Sequence, residues 1–313
     1  MNTTGAATAA ALSTQRKCWV CGSAKPEKWK PSSLDRPLEP SDFQITDSRY
    51  GVTLTLFRCK ACGFIFADDQ EVADLVSLYE RLEDNEYENG LENRSLQMRR
   101  IANEVRKAHP AGRTLLDIGA GIGLMVNESR KAGFEAIGIE PSHSLVEAGK
   151  RLLSLDLLQG IFPHPAVAGR QFDVISLVDV IEHVSDPVGL LRECGKALQK
   201  DGLLTVVTPD VASAAARMMG RRWWHLRLAH VGYFDGRSMA TAAKNAGLEI
   251  VSTTRAVWSF PVSYLAERLA VYLPIGAANR WAAGTRLFGP VYRSVVHLNL
   301  HDSTVFFLRR TGA

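Results

Sequence analysis

From about residue 95 onward, short apolar runs alternate with amphipathic stretches of helical period. That is the pattern of strands buried on both faces and joined by helices. A helix is predicted over 93–106, carried by Leu96, Ile101 and Val105, with Pro110 and Gly112 ending it. The run from Arg113 to Ile118 is the first strand, followed by Gly119, Gly121 and Gly123 at alternate positions. Phe134–Glu140 is the second strand, broken by Pro141 and Ser142, and Ser144 with Glu147 has capping-box spacing for a helix through Leu153. A third strand falls at Leu155–Gln159, before a turn opened by Gly160, and Phe172–Val178 is the fourth. Asp186 and Pro187 form a cap and first turn, and Leu190, Leu191, Cys194, Ala197 and Leu198 continue that helix. Gly202–Thr208 is the fifth strand, stopped by Pro209. A helix at Ser238–Ala246, a strand at Leu248–Arg255 and a last strand at Ser303–Leu308 follow. Two long excursions, 210–235 and 258–300, interrupt them and predict a substrate lid. The fold class is α/β, a doubly wound sheet whose ligands bind beyond the carboxyl ends of its strands.

The first 70 residues follow another rule. Cys18-Trp-Val-Cys21-Gly22 and Cys59-Lys-Ala-Cys62-Gly63 are matching knuckles separated by 37 residues. Two thiolates on each tight turn make a closed, tetrahedral set of four sulfurs, a structural Zn²⁺ site with no open position for chemistry. Strand-like pieces at Phe43-Gln-Ile-Thr and Gly51–Arg58 complete a ribbon. Cys194 stands apart at an apolar helical position and is read as core.

A chain of 313 residues has room for one α/β domain and a small module, which divides it into a disordered tail (1–15), a zinc ribbon (16–70), an acidic linker with an entry helix (71–94) and the main domain (95–313). No apolar run reaches membrane-spanning length and the first residues lack a signal-peptide pattern, so cytoplasm is the default location. The net charge of +4 conceals an asymmetry: from residue 211 onward there are 13 Lys and Arg, 12 of them Arg, against 4 Asp and Glu. Arginine bias favours an anionic small-molecule acceptor and leaves peripheral membrane contact through the Arg/Trp-rich excursions open. Residues 1–70 carry 9 basic and 7 acidic residues, too balanced for a nucleic-acid grip.

The chemistry centres on the glycine turn. Such turns cradle phosphates in many folds, but Asp117 stands two residues ahead of the first glycine, and an acid there suits a ligand carrying positive charge and no phosphate. Glu140 lies 23 residues later at the tip of the neighbouring strand, where a carboxylate can accept hydrogen bonds from both ribose hydroxyls.

Leu116-Asp-Ile-Gly-Ala-Gly-Ile-Gly123, Gly138-Ile-Glu-Pro141, Phe172-Asp-Val-Ile175, Asp179-Val-Ile-Glu-His-Val184 and His230-Val-Gly-Tyr-Phe234, in that order, resemble the class I S-adenosylmethionine-dependent methyltransferases. The likeness is nearest to the branch of the ubiquinone-biosynthesis O-methyltransferases and sugar methyltransferases. The resemblance implies a seven-stranded, Rossmann-like sheet whose last strand is inserted antiparallel. It implies that Gly119, Gly121 and Gly123 pass under the methionine portion of the cofactor, with Asp117 near its ammonium. Glu140 would take the ribose, Gly160 and Ile161 would edge the adenine, and Asp179 and Val180 would line the methyl-donor side. His183 and His230 are the candidate bases for a hydroxyl acceptor. In the ubiquinone branch the positions matching Asp179, Glu182 and His183 are associated with a divalent metal, although Asp179 stands where that branch has Glu. A small-molecule O-methyltransferase is the leading reading. An RNA methyltransferase docking through its ribbon, or a non-catalytic cofactor-binding assembly protein, are the alternatives.

Overall fold

A computed structural model describes residues 16–24, 26–44, 49–83, 90–270, 291 and 294–312. The expected tail at 1–15 lies outside them, as do most of the second excursion and its Tyr272, Trp281 and Tyr292.

In chain order the strands and helices are β1 (Pro26–Lys30), β2 (Leu56–Cys59), β3 (Ile65–Ala67), α1 (Leu75–Glu80), α2 (Leu91–Ala108), β4 (Thr114–Ile118), α3 (Leu124–Lys131), β5 (Glu135–Glu140), α4 (His143–Leu153) and β6 (Leu158–Gln159). There follow β7 (Phe172–Val178), α5 (Pro187–Ala197), β8 (Leu198–Pro209), α6 (Ala214–Met219), β9 (Gly232–Tyr233), α7 (Gly236–Asn245), β10 (Leu248–Arg255), β11 (Trp258–Pro261), α8 (Val262–Ala270), β12 (Val295–Leu298) and β13 (Ser303–Arg310).

The main sheet has seven strands in the order β10-β13-β8-β7-β4-β5-β6. β4, β5, β6, β7 and β8 pair in parallel, and β13 enters antiparallel between β8 and β10. Leu115, Leu116, Val174 and Ile175 at its centre are fully buried, which is why these strands read as continuous apolar runs. The chain leaves β4 toward β5 and β6, then returns to β7 on the other side of β4. Strand order therefore reverses between β4 and β7, and a cleft opens beyond their carboxyl ends.

Caps set the helix starts. Asp186 Oδ1 accepts from the Gly189 amide at 2.8 Å, with Pro187 at the first helical position, as the sequence predicts. For α4 the cap is Ser142, whose hydroxyl accepts from the Leu145 amide at 3.2 Å; Ser144 lies inside the helix, so the capping-box reading is off by two residues. Three other expectations change. Phe43 ends a 3₁₀ turn at Pro40–Phe43 rather than starting a strand, and 45–48 lie outside the described residues. The predicted strand at 51–58 shortens to β2, while β1, with its polar Pro-Glu-Lys-Trp-Lys, carries no apolar run. The third strand contracts to the two residues of β6.

The larger difference concerns the first excursion. β1, β2 and β3 form an antiparallel ribbon, and β9 from that excursion is its fourth strand, with Ile65 opposite Tyr233 and Phe66 opposite Gly232. Trp223, Leu226, Leu228, Ala229 and Val231 are buried in one core with Phe43, Leu56, Ile65, Leu75 and Leu78. Residues 223–234 of the segment expected as a lid therefore form an internal wall, because their apolar side chains face the N-terminal module, while Arg217, Met218, Arg221 and Arg222 before them stay exposed.

At the opposite end of the sheet Asp173 Oδ2 accepts from the backbone amides of Arg113 and Thr114, both at 2.9 Å, and from the Thr114 hydroxyl at 3.0 Å. Asp173→Ala should lower the unfolding free energy by about 2 kcal/mol, read by denaturant titration, since two strand-entry amides lose their acceptor.

Candidate functional site

The cofactor side of the cleft is built on the turn after β4. Gly119 and Gly121 adopt φ of 71° and 57°, the left-handed region that favours glycine. A side chain at Gly119 would also strike Val180 Cγ2 at 2.6 Å, so the turn lies directly on the segment that follows β7. Gly123 serves another purpose: its amide closes the turn on the Ala120 carbonyl, and a side chain there would meet Leu155 Cδ1 at 2.6 Å. Its φ of 90° lies in the left-handed region too, so both the turn and close packing beneath α3 favour glycine there.

Glu140 ends β5 beside this turn. Its Oε2 accepts from the Gly121 amide at 2.8 Å and its Oε1 from the Ser142 amide at 2.9 Å, which fixes the carboxylate with one lone pair of each oxygen still available. Burial pushes its carboxyl up to about 7 against those amide bonds. Asp117 lies one strand over, 2% exposed, and accepts from the Ser176 hydroxyl at 2.6 Å; burial pushes it up to about 7 as well. Past β6, the Gly160 amide donates to the Glu140 carbonyl at 3.0 Å, and Ile161 is half exposed at the rim.

The residues present fit the cofactor that the sequence resemblance implies. A glycine pair at positive φ leaves no side chains over the turn, a bridled carboxylate stands at the next strand tip, and buried acids rather than bases line the floor. Such a floor repels phosphate and suits a cation.

The other side of the cleft begins at Asp179, which opens to solvent in the cleft with φ of 53°, a strained value for a residue with a side chain. Close protein walls and the Asp302 charge push its carboxyl up to about 7, with the Arg227 charge opposing. A single 3₁₀ turn, Ile181–His183, then aims two side chains inward. Glu182 is 1% exposed; its Oε2 accepts from the Thr208 hydroxyl at 2.9 Å, while Oε1 has no partner among the described residues. Burial and the Asp179 charge hold Glu182 well above the usual carboxylate range.

His183 Nδ1 is 2.8 Å from the Ala229 carbonyl and 2.6 Å from the Tyr79 hydroxyl. A carbonyl only accepts, so Nδ1 carries the proton and Nε2 keeps its lone pair. His230, from the internal wall, meets His183 edge to face with ring centroids 4.8 Å apart, and its Nδ1 has no partner among the described residues. Burial and the Arg227 charge pull His183 down to about 3; burial and the neighbouring His183 pull His230 well below its usual range. Both imidazoles are therefore neutral near pH 7.

The structure thus brings together His183 and His230, which are 47 positions apart in the sequence, and joins them to Glu182, with one ligating atom of each within 4.8 Å of the others. Asp179 is outside this group, which differs from the metal-associated positions of the ubiquinone branch. Sequence reasoning missed Tyr79, Arg227, His225 and Asp302. His225 stacks on His230 with ring centroids 5.8 Å apart, and its Nε2 lies 3.4 Å from Asp302 Oδ2, which also accepts from the Trp224 indole at 2.8 Å. Only the clustering of Trp223, Trp224 and His225 in the sequence signalled a built feature there.

The four knuckle cysteines converge at the end of the ribbon where β2 turns into β3. Cys18 and Cys62 sulfurs are 3.7 Å apart and those of Cys21 and Cys59 3.5 Å, with all four within 4.8 Å of one another. Sulfurs at the corners of a tetrahedral Zn²⁺ site stand about 3.8 Å apart, whereas a disulfide needs about 2.05 Å. The hydrogen bond from Cys62 pulls the Cys18 thiol down to about 5 and pushes Cys62 up, so the two share one proton. This donor set fits zinc.

Asp117 carries a pH signature. Its folded pKa of about 7 lies above its ordinary value, so the folded state holds a proton that the unfolded state has released between about pH 4 and 7. The stability this contributes is complete below pH 4 and lost as pH rises through 7. Asp117→Asn, which keeps an acceptor for Ser176, should raise the melting temperature more at pH 8 than at pH 5.

Comparison with known proteins bears on this geometry. A family model described as a methyltransferase domain matches residues 91–253. The ubiquinone biosynthesis O-methyltransferase of Azorhizobium caulinodans is 30% identical over 141 residues, 42% of this chain and 54% of that protein. The protein of the same description in Xanthomonas axonopodis pv. citri is 26% identical over 162 residues, 46% of this chain and 66% of that protein. The chain spans about half the length of the curated relatives it matches. Among solved structures, the CcbJ methyltransferase of Streptomyces caelestis is similar at 13% identity and a TM-score of 0.45, over 68% of this chain and 89% of that one. With more than half of its residues matched by the one domain model, laid on a sheet with the antiparallel inserted strand, the chain belongs to the class I S-adenosylmethionine-dependent methyltransferases.

Proposed function

We propose that the chain methylates a hydroxyl of a small-molecule acceptor, a sugar or a phosphate-bearing metabolite of the kind made in cell-surface polysaccharide or secondary-metabolite pathways. We further propose that Cys18, Cys21, Cys59 and Cys62 hold one structural Zn²⁺. The observation that carries the first reading is the two-sided cleft: buried acids and a glycine cradle on β4 and β5, and two neutral histidines on the other side, from the turn after β7 and the wall before β9.

When bound, S-adenosylmethionine supplies a sulfonium methyl already activated for in-line displacement, so the protein's part is alignment and proton handling. Glu140 takes the ribose hydroxyls, Gly119 and Gly121 leave the room for the methionine portion above Asp117, and Gly160 and Ile161 edge the adenine. Asp179 and Val180 line the side from which the methyl leaves. His183, with Nδ1–H committed to Ala229, presents Nε2 as the proton acceptor, and His230 presents its unpartnered Nδ1. An imidazole nitrogen would take the acceptor's hydroxyl proton, while the bound cofactor would supply the methyl by breaking its sulfur–methyl bond and leave as S-adenosylhomocysteine. No helix of the described residues is long and apolar enough to cross a membrane.

Two experiments test the reading. Glu140→Ala should weaken binding of S-adenosylhomocysteine by on the order of 2–4 kcal/mol in calorimetry, through the loss of charge-assisted hydrogen bonds; unchanged affinity would remove Glu140 from the cofactor site. Incubation with methyl-tritiated cofactor and fractionated small-molecule extract should yield a labelled product, and His230→Ala should slow its formation about 100-fold at unaltered cofactor affinity. Absence of label from every fraction would count against an enzyme.

A further inference from the structure

The four-cysteine site and the histidine cluster are joined by one short path. Within the second knuckle the Gly63 amide donates to the Cys59 carbonyl and the Cys59 amide to the Phe64 carbonyl, both at 2.9 Å, so the metal-ligand turn holds the Phe64 backbone. The Phe64 ring is fully buried and lies against Phe234 with centroids 4.6 Å apart. It also presses on Gly232, where a side chain would come within 3.0 Å of it. From there the wall passes directly into the site. The Val231 amide donates to the Glu182 carbonyl at 2.9 Å, and the Ala67 amide donates to the Val231 carbonyl at 2.8 Å. One residue of wall thus bonds the ribbon on one side and the histidine turn on the other.

Further ties flank this path. Gly51 donates to the Leu226 carbonyl at 2.7 Å, Arg227 donates to the Gln44 carbonyl, and Arg237 donates to the Ala61 carbonyl at 2.7 Å inside the second knuckle. Cys18, Cys59 and Cys62 also share a core with Met239 and Ala242 of α7, the helix that follows the wall. The hydrogen bonds that shape the cofactor half are made elsewhere: those of Asp117, Gly119, Gly121 and Glu140 run among β4, β5 and β7 and the turns that follow them, and the ribbon meets these strands through apolar packing in the core that Leu116, Ile118 and Ile139 share with Cys18, Cys59 and Phe64.

We propose that occupancy of the four-cysteine site positions the acceptor wall, with Phe64 as the positioning residue that transmits it to Val231, Glu182 and His230, while the cofactor half is held by hydrogen bonds that do not pass through the ribbon. This rests on reading the cysteines as a zinc site. Closing the tetrahedron of thiolates fixes the knuckle against which Phe64 is held; without the metal the sulfurs repel or scatter, and strand β9 loses the surface it pairs with. The site then keeps its cofactor cradle and loses the geometry of its histidines.

Hydrogen exchange followed by mass spectrometry on the full chain, zinc-loaded and after chelation, tests this, with zinc measured by elemental analysis and S-adenosylhomocysteine affinity by calorimetry. On zinc removal, amides of Ala67 and Val231 should exchange at least about tenfold faster while those of β4 and β5 change by less than about threefold. Affinity for S-adenosylhomocysteine should stay within about threefold. Phe64→Leu, zinc-loaded, should reproduce the faster exchange at Val231 with the metal still bound. If zinc is bound but Ala67 and Val231 keep their protection on its removal, the inference fails and the zinc reading stands. If β4 and β5 lose protection together with the wall, the metal is a general staple and the inference fails. If the folded protein takes up no zinc, the zinc reading falls and the inference with it.

Discussion

Four carboxyls, those of Asp117, Glu140, Asp179 and Glu182, are gathered at the carboxyl ends of β4, β5 and β7; burial raises Asp117, Glu140 and Glu182, and the close walls of the cleft with the Asp302 charge raise the solvent-facing Asp179. A fold does not collect acids out of water without cost, because each ionised carboxyl forfeits hydration that neutral partners replace only in part. The arrangement is compatible with a stable protein because the acids stay partly protonated and because backbone amides and hydroxyls hold their oxygens in place. It also prepares the cleft for a positive ligand. A cation entering such a site lowers the cost of ionising the acids around it, so binding and deprotonation favour each other. The glycine turn, the bridled Glu140 and the strained Asp179 all serve this same electrostatic design.

Against the acids stand groups whose neutrality is enforced. His183 and His230 are kept uncharged by burial and by the Arg227 guanidinium, whose field reaches Tyr79, Asp179, Glu182 and both histidines. Neutral imidazoles are what a proton acceptor has to be before reaction. Their orientation comes from three separated pieces of chain: the turn after β7, the wall before β9 and Tyr79 in α1. The N-terminal module therefore contributes to the site in two ways, through the Tyr79 hydroxyl and by pairing β3 with β9. A module that read as an appendage from its cysteine spacing is continuous with the interior of the protein.

How far the sequence revealed this follows from the range of each interaction. β4, β5 and β7 were legible because strands buried on both faces need unbroken apolar runs, and the glycine turn because backbone at positive φ needs glycine. Glu140 was legible by its position at a strand tip. β1 was not, since an edge strand with Glu27 and Lys28 in water carries little apolar patterning. The cap of α4 was misplaced because Ser142 and Ser144 have equal local claims, and only the turn after Pro141 selects the first. Tyr79 was invisible for a different reason: its partner His183 lies 104 residues away, and nothing local distinguishes it from any aromatic residue in an acidic stretch. The wall was misread because its apolar residues were scattered among arginines, and the surface that buries them belongs to the first 80 residues.

The charge layout also constrains how an acceptor enters. Arg217, Arg221 and Arg222 lie exposed on and just after α6, which follows the carboxyl end of β8, while the acids lie deeper beyond β4, β5 and β7. A unit anion placed 5 Å from an ionised Asp179 would meet a repulsion of about 3 kcal/mol at the effective dielectric of a partly buried site. For the proposed anionic acceptor, the charged end therefore belongs away from the acids and the uncharged hydroxyl end inside. Under that proposal one cleft would serve two ligands of opposite sign: the cation would rest on the acids, the charged end of the acceptor would stay away from them, and its reacting oxygen would lie beside two neutral histidines.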